Sequence, residues 1–231
     1  MIGFYNYTMI LTYLSLVSAS TGIVVSLSGE GHPYIGIFFM LFSGLCDAFD
    51  GKVARMKKDR SERENRFGIQ IDSLSDLVAF GVLPTCIGAA LVFRSEFFEF
   101  GKEGWGLMFS ILCYAIMALY VLAGMIRLAF FNVCEEERQK NEDGVRKYYM
   151  GLPITSASII FPFIILIIYI FRQFVHVDLT YLYFAVMLIT GIAFVSKFQL
   201  KKPGLKAILG MVLIGVVEAA IMITAFIVAA K

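Results

Sequence analysis

Seven stretches of this chain are apolar enough, over enough residues, to cross a lipid bilayer: about 7–28, 33–54, 69–93, 105–130, 152–171, 179–196 and 205–229. A crossing helix needs roughly 20 predominantly apolar residues. Lipid offers no hydrogen bonds to the backbone, so such stretches fold as helices that satisfy their own N–H and C=O groups. Little of the 231 residues is left over for a soluble domain. The chain is 59% hydrophobic and 16% charged, with a mean hydropathy of +0.79, well outside the range of soluble domains. The expected fold is all-α, a polytopic transmembrane helix bundle forming one integral membrane domain over 1–231. No basic segment precedes the first apolar run, so the first span is expected to stay as a membrane helix. Pro84 should kink the third span or change its packing, and Pro153 reads as a first-turn proline opening the fifth.

The connections set orientation. The 56–68 loop carries Lys57, Lys58, Arg60, Arg63 and Arg66. The 131–150 loop carries Arg138, Lys140, Arg146 and Lys147, and the 197–204 connection carries Lys197, Lys201 and Lys202, with Lys206 just beyond. The alternate loops hold only Arg94, Lys102 and Arg172. The positive-inside rule then puts the N-terminus in the cytoplasm and the C-terminus on the opposite side. The polar stretch Cys134–Lys147 mixes both signs and reads as a solvated loop. Cys46, Cys86, Cys113 and Cys134 show no ligand spacing and read as packing thiols.

Against this background four carboxylates stand out. The chain reads D-A-F-D-G-K-V-A-R from Asp47 to Arg55 and G-I-Q-I-D-S-L-S-D from Gly68 to Asp76. Asp47 and Asp50 share a helical face, continued by Gly51, Ala54 and Arg55. Gly68, Asp72 and Asp76 form a second single-faced row. The two helices adjoin through a short loop and should pack side by side, with the second pair of acids in the first turns of its helix, where the dipole favours negative charge. Uncompensated carboxylates at a bilayer edge are costly. Four facing one another ask for a cation, and oxygen-only ligands suit Mg²⁺ or Mn²⁺, with Ca²⁺ as a further option. The small residues let a ligand approach the backbone, and the arginine fork suits phosphate. The two histidines, His32 and His176, fall on the other side, so a base for any reaction has to be a carboxylate. Glu218, in the middle of the last span, is also costly there, and no partner for it is evident.

The pattern D-x-x-D-G-x-x-A-R followed by G-x-x-x-D-x-x-x-D resembles the signature of the CDP-alcohol phosphotransferases, membrane enzymes that move a phosphatidyl-type group from a CDP-linked donor to an alcohol and release CMP. The segment between Arg55 and Gly68 is longer by about one helical turn than the family usually has. Further segments are similar to the phosphatidylserine-synthase branch: Asp72–Pro84, Gly124–Asn132, Tyr148–Pro153 and Val195–Phe198. The resemblance covers about 7–200, a six-helix core, and leaves the seventh span at about 205–229 as an addition.

That resemblance implies roles residue by residue. Asp47, Asp50 and Asp72 match metal ligands, with Asp76 completing a site for two divalent cations and matching the general base. Gly51, Ala54, Arg55 and Gly68 match positions around the cytidine diphosphate. Thr12 and Ser15 lie where the family presents small polar groups to the nucleotide, although Ser15 replaces the usual asparagine. The donor implied is CDP-diacylglycerol and the acceptor L-serine, with Arg127 and Asn132 as candidate serine contacts. A homodimer in a prokaryotic cell membrane, with its active site on the cytoplasmic side and no nucleic-acid partner, is expected. Two alternatives stand beside this. One is the same reaction class with another acceptor, inositol phosphate, glycerol phosphate or choline, or with serine on an archaeal-type ether lipid. The other is a cation transporter, which would need acids spread along a transmembrane route, whereas these cluster on one side.

Overall fold

A computed structural model describes residues 3–29, 31–57, 59–95, 105–141, 148–201 and 204–229. After a short 3-10 turn at Tyr7–Met9 come helices α1 (Ile10–Leu27), α2 (Pro33–Met56), α3 (Glu62–Asp76), α4 (Leu83–Arg94), α5 (Trp105–Asn141), α6 (Ala157–Ile170), α7 (Thr180–Val195) and α8 (Leu205–Ala229). Among the described residues six helical rods are long and apolar enough to cross a membrane: Tyr7–Leu27, Pro33–Ala54, Glu62–Arg94, Gly106–Arg138, Ile154–Val175 and Lys206–Ala229. The seventh, α7, is an apolar helix of 16 residues. The chain is a multi-pass membrane protein.

The third rod is α3 and α4 joined by a π-helical turn over Leu77–Val82. Pro84 explains the irregularity. It has no N–H to give the Phe80 carbonyl four residues back, and the Tyr120 hydroxyl donates to that oxygen instead, at 2.8 Å. Tyr183 donates to the Pro84 carbonyl at 2.7 Å. Both tyrosines are almost wholly buried and stack with Phe161, so two long side chains of α5 and α7 hold the irregular turn in place. Elsewhere small residues bring the backbones close. A Cβ on Gly22 would meet Phe39 Cβ of α2 at 2.7 Å, and one on Gly44 would meet Ser158 Cβ of α6 at 2.6 Å.

The connections segregate into two ends. At one, Tyr148–Met150 pairs antiparallel with Gln199–Lys201, so the connection after α5 and the one after α7 lie together. At the other, Arg94 Nη1 donates to Gly31 O at 2.8 Å, Arg172 Nη2 donates to Arg94 O, and Ser95 Oγ donates to Asp178 at 2.6 Å. His32 and His176 belong to this second end. Of the cations used above for orientation, Lys58, Lys102, Arg146, Lys147 and Lys202, and the side chain of Lys140, lie outside the described residues.

Three expectations change. The polar stretch after Cys134 is helical as far as Asn141, because α5 runs for 37 residues and is braced by a 2.6 Å Arg138–Glu135 ion pair. At 1.5 Å per residue it is about 55 Å long, well beyond a hydrocarbon core of about 30 Å. Pro153 is not in the first turn; its backbone is extended (φ −62°, ψ 140°), and it caps a short 3-10 turn, Ile154–Ser156, that leads into α6. Finally, α3 starts at Glu62, where Ser61 caps it by accepting from Glu64 N at 3.1 Å. Asp72 and Asp76 therefore lie in the last turns of α3, well past its start, and the acids of its first turn are Glu62 and Glu64.

Candidate active site

The aspartates meet where the last turns of α2 face the second half of α3. Asp47, Asp50 and Asp72 each present an oxygen, and the three oxygens lie within 4.8 Å of one another. Asp50 and Asp72 come within hydrogen-bonding reach. Asp76, one helical turn beyond Asp72 on the same face, is outside that group of three and is buried, with 7% of its surface exposed. Among the described residues no lysine or arginine forms an ion pair with any of the four. Like charges gathered at a half-buried site repel one another and lose part of their hydration, so the arrangement suits a cation. A donor set of carboxylate oxygens, with no imidazole and no thiolate within the group, fits a hard divalent ion such as Mg²⁺, Mn²⁺ or Ca²⁺.

Helix α1 forms the third wall. Ser75 Oγ, next to Asp76, donates to Thr12 O at 3.2 Å. Ser43 Oγ, one turn before Asp47, donates to Ser15 O at 3.0 Å. Thr12 and Ser15 are both buried at the level of the acids, and Ser15 Oγ has no hydrogen-bond partner among the described residues. Gly51 and Ala54 follow Asp50 on α2, half-buried. Arg55 belongs to α2 by its backbone, and its side chain lies outside the described part.

Gly68 holds a surprise. A Cβ there would meet Arg60 Nη2 at 2.7 Å and Met9 Cε at 3.1 Å. The space expected for a ligand against this glycine is taken by an arginine from the loop. The serine candidates also differ from each other. Asn132 Nδ2 donates to Ser73 Oγ at 2.8 Å, which ties α5 to α3 beside Asp72. Arg127 is buried, donates through Nε to Leu152 O at 3.0 Å and lies over the Phe131 ring at 5.4 Å. It holds α5 to the segment before α6, so that part of its donor capacity is already used.

Sequence reasoning passed over Ser43, Ser75, Asn6, Arg60 and Glu64. The signal was present for two of them. Arg60, Glu64, Gly68, Asp72 and Asp76 are each four residues apart and continue one helical stripe outward.

The family model described as CDP-alcohol phosphatidyltransferase matches residues 5–193, which leaves α8 outside the match. Curated relatives agree in kind. The CDP-diacylglycerol–serine O-phosphatidyltransferase of Saccharomyces cerevisiae is 32% identical over 151 residues, covering 64% of this chain and 48% of the relative. The protein of the same description in Helicobacter pylori is 32% identical over 123 residues, 53% of this chain and 42% of the relative. The archaetidylserine synthase of Methanothermobacter thermautotrophicus is 35% identical over 149 residues, 63% of this chain and 53% of the relative. The chain spans about half the length of the curated relatives it matches. No solved structure matches it significantly. With more than half of its length matched by the family model and the motif's aspartates gathered between α2 and α3, the chain belongs to the CDP-alcohol phosphatidyltransferase family.

Proposed function

We propose that this protein transfers the phosphatidyl group of CDP-diacylglycerol to the hydroxyl of L-serine, giving phosphatidylserine and CMP. The observation that carries the reading is the convergence of Asp47, Asp50 and Asp72 within 4.8 Å, with Asp76 one turn deeper on the same helix face. The names of the relatives, all serine-accepting, support the choice of acceptor.

In this reading Asp47, Asp50 and Asp72, with Asp76 beside them, would hold divalent cations. Such ions neutralise charge on the diphosphate and on the departing CMP. Asp76 accepts the proton of the serine hydroxyl. The serine oxygen forms a bond to the phosphorus that carries diacylglycerol, and the bond from that phosphorus to the CMP oxygen breaks. The proton on Asp76 then returns to solvent. The burial of Asp76 suits a base that must work away from bulk water. The Asn132–Ser73 link holds α5 against the site, and Asn132 and Arg127 are the proposed serine contacts. Gly51, Ala54, Arg55, Thr12 and Ser15 line the nucleotide side, and Gly68 contributes by making room for the Arg60 guanidinium that covers it.

The lysines and arginines of the 56–68 and 197–204 connections support a cytoplasmic site, and the protein is proposed to work there as a homodimer. Replacing Arg127 by Ala should raise the KM for serine more than that for the lipid donor. The opposite pattern would remove Arg127 from the serine pocket and leave it the structural role its bond to Leu152 describes.

A further inference from the structure

We infer that Arg60, in the loop between the two halves of the aspartate motif, binds the diphosphate of the CDP-linked donor, and that Glu64 positions it. The inference rests on the proposed transfer from a CDP-lipid and adds a residue to its donor site.

Position is the first observation. Arg60 immediately precedes the cap of α3 and lies on the stripe Arg60–Glu64–Gly68–Asp72–Asp76. Its side chain runs down that stripe, so that a Cβ at Gly68 would lie 2.7 Å from Nη2. Gly68 is one turn, about 6 Å, from Asp72. The guanidinium therefore lies against the face of Gly68, one helical turn along α3 from Asp72. A residue larger than glycine at 68 would push it away.

Charge is the second. Glu64 is buried, and its Oε1 accepts from Lys57 Nζ at 2.8 Å and from Asn6 Nδ2. Arg60 Nε is 3.7 Å from the same oxygen, too far for a hydrogen bond, and is buried with no hydrogen-bond partner. Two cations and an amide thus share one carboxylate, and Arg60 is the one left short. Its side chain is 13% exposed, so it keeps a largely desolvated charge with donor capacity unspent. A half-buried guanidinium of that kind, its Nε buried and without a hydrogen-bond partner, is suited to a diphosphate, which carries two negative charges. The Lys57–Glu64–Asn6 cluster fixes the loop and the N-terminal segment so that the guanidinium stays over Gly68.

The probe is CDP, binding to the purified full-length protein in detergent with Mg²⁺, followed by calorimetry, beside cytidine, which lacks the phosphates. Loss of a charge-assisted phosphate contact should weaken CDP binding of Arg60→Ala about tenfold to a hundredfold while leaving cytidine binding as in the parent. The KM for CDP-diacylglycerol should rise in step, and the KM for serine should not move. Arg60→Lys should restore part of the affinity and serves as the folded control. Gly68→Ala should weaken CDP in the same direction, and adding it to Arg60→Ala should cost nothing further, because the displaced group is already gone. Glu64→Gln should give a smaller rise in the donor KM with kcat unchanged. Arg60→Ala protein that binds CDP as tightly as the parent overturns the inference. So does an additive loss in the double variant, which would mean that Gly68 faces the nucleotide by itself. A parent protein that releases CMP but with another acceptor leaves Arg60 in place and removes only serine. A parent that binds no CDP overturns the proposed function, and this inference with it.

Discussion

The two ends of this bundle treat a carboxylate in opposite ways. At the end with His32 and His176, Asp178 lies just ahead of α7, two residues before its first residue, Thr180. It accepts from Thr180 N at 2.9 Å, Thr180 Oγ1 at 2.6 Å and Ser95 Oγ at 2.6 Å. Burial pushes its carboxyl up, but these hydrogen bonds and the nearby Arg172 outweigh it and hold the group below the ordinary aspartate range. At the other end Asp47, Asp50 and Asp72 face one another, their oxygens within 4.8 Å, and no lysine or arginine among the described residues pairs with them. A solitary acid surrounded by donors stabilises the fold. Three acids gathered together repel one another and favour a cation between them, the difference on which the proposed metal site rests.

The sharpest way to break this contrast is to neutralise one acid at each end. Asp76→Asn should lower CMP release by about 10²- to 10⁴-fold, the range for a lost general base, while CDP still binds. Near-normal turnover would remove Asp76 as the base. Asp178→Ala should leave the kcat close to the parent value and lower the melting temperature. A collapse of turnover in folded Asp178→Ala protein would erase the distinction between the ends.

Between these ends lies the proline-broken rod. Tyr120→Phe leaves the Phe80 carbonyl without its donor in an apolar setting, a loss of about 1–3 kcal/mol, read as a lower melting temperature in detergent. No change would mean that the π-turn satisfies Phe80 O unaided. The pH dependence of Asp178 sharpens the comparison further. Its folded pKa is depressed, so its contribution is complete above the unfolded value of about 3.9 and is lost as pH falls through the folded value. Acid stability scans of the parent and Asp178→Asn should therefore converge at low pH and separate as pH rises. Glu218 is the smallest test. It is buried in α8, and neither of its oxygens has a hydrogen-bond partner among the described residues. Glu218→Gln should leave CMP release unchanged, and a large loss would bring α8 into the mechanism.

The helical rods and the acidic motif were legible because each rests on a strong periodic signal: apolar length for the spans, and spacings of three and four for Asp47, Asp50, Asp72 and Asp76. Boundaries were harder to see. The Ser61 cap starts α3 ahead of its apolar part, and charged Cys134–Asn141 stays helical because it continues a long rod already nucleated in the bilayer. Contacts between distant residues were not legible at all. That Tyr120 would repair the gap left by Pro84, that Ser75 would reach Thr12, and that Arg60 would occupy the face of Gly68 depend on how the rods pack. A glycine in a motif states that something comes close to the backbone without saying what.

The most direct test of the account is CMP release from purified protein supplied with CDP-diacylglycerol and Mg²⁺ or Mn²⁺, with and without L-serine, beside inositol phosphate and glycerol phosphate. The account predicts release that requires both serine and the metal, with phosphatidylserine formed in equal amount. Release driven by another alcohol would contradict the serine assignment. Folded protein that releases no CMP with any acceptor would contradict the transferase itself.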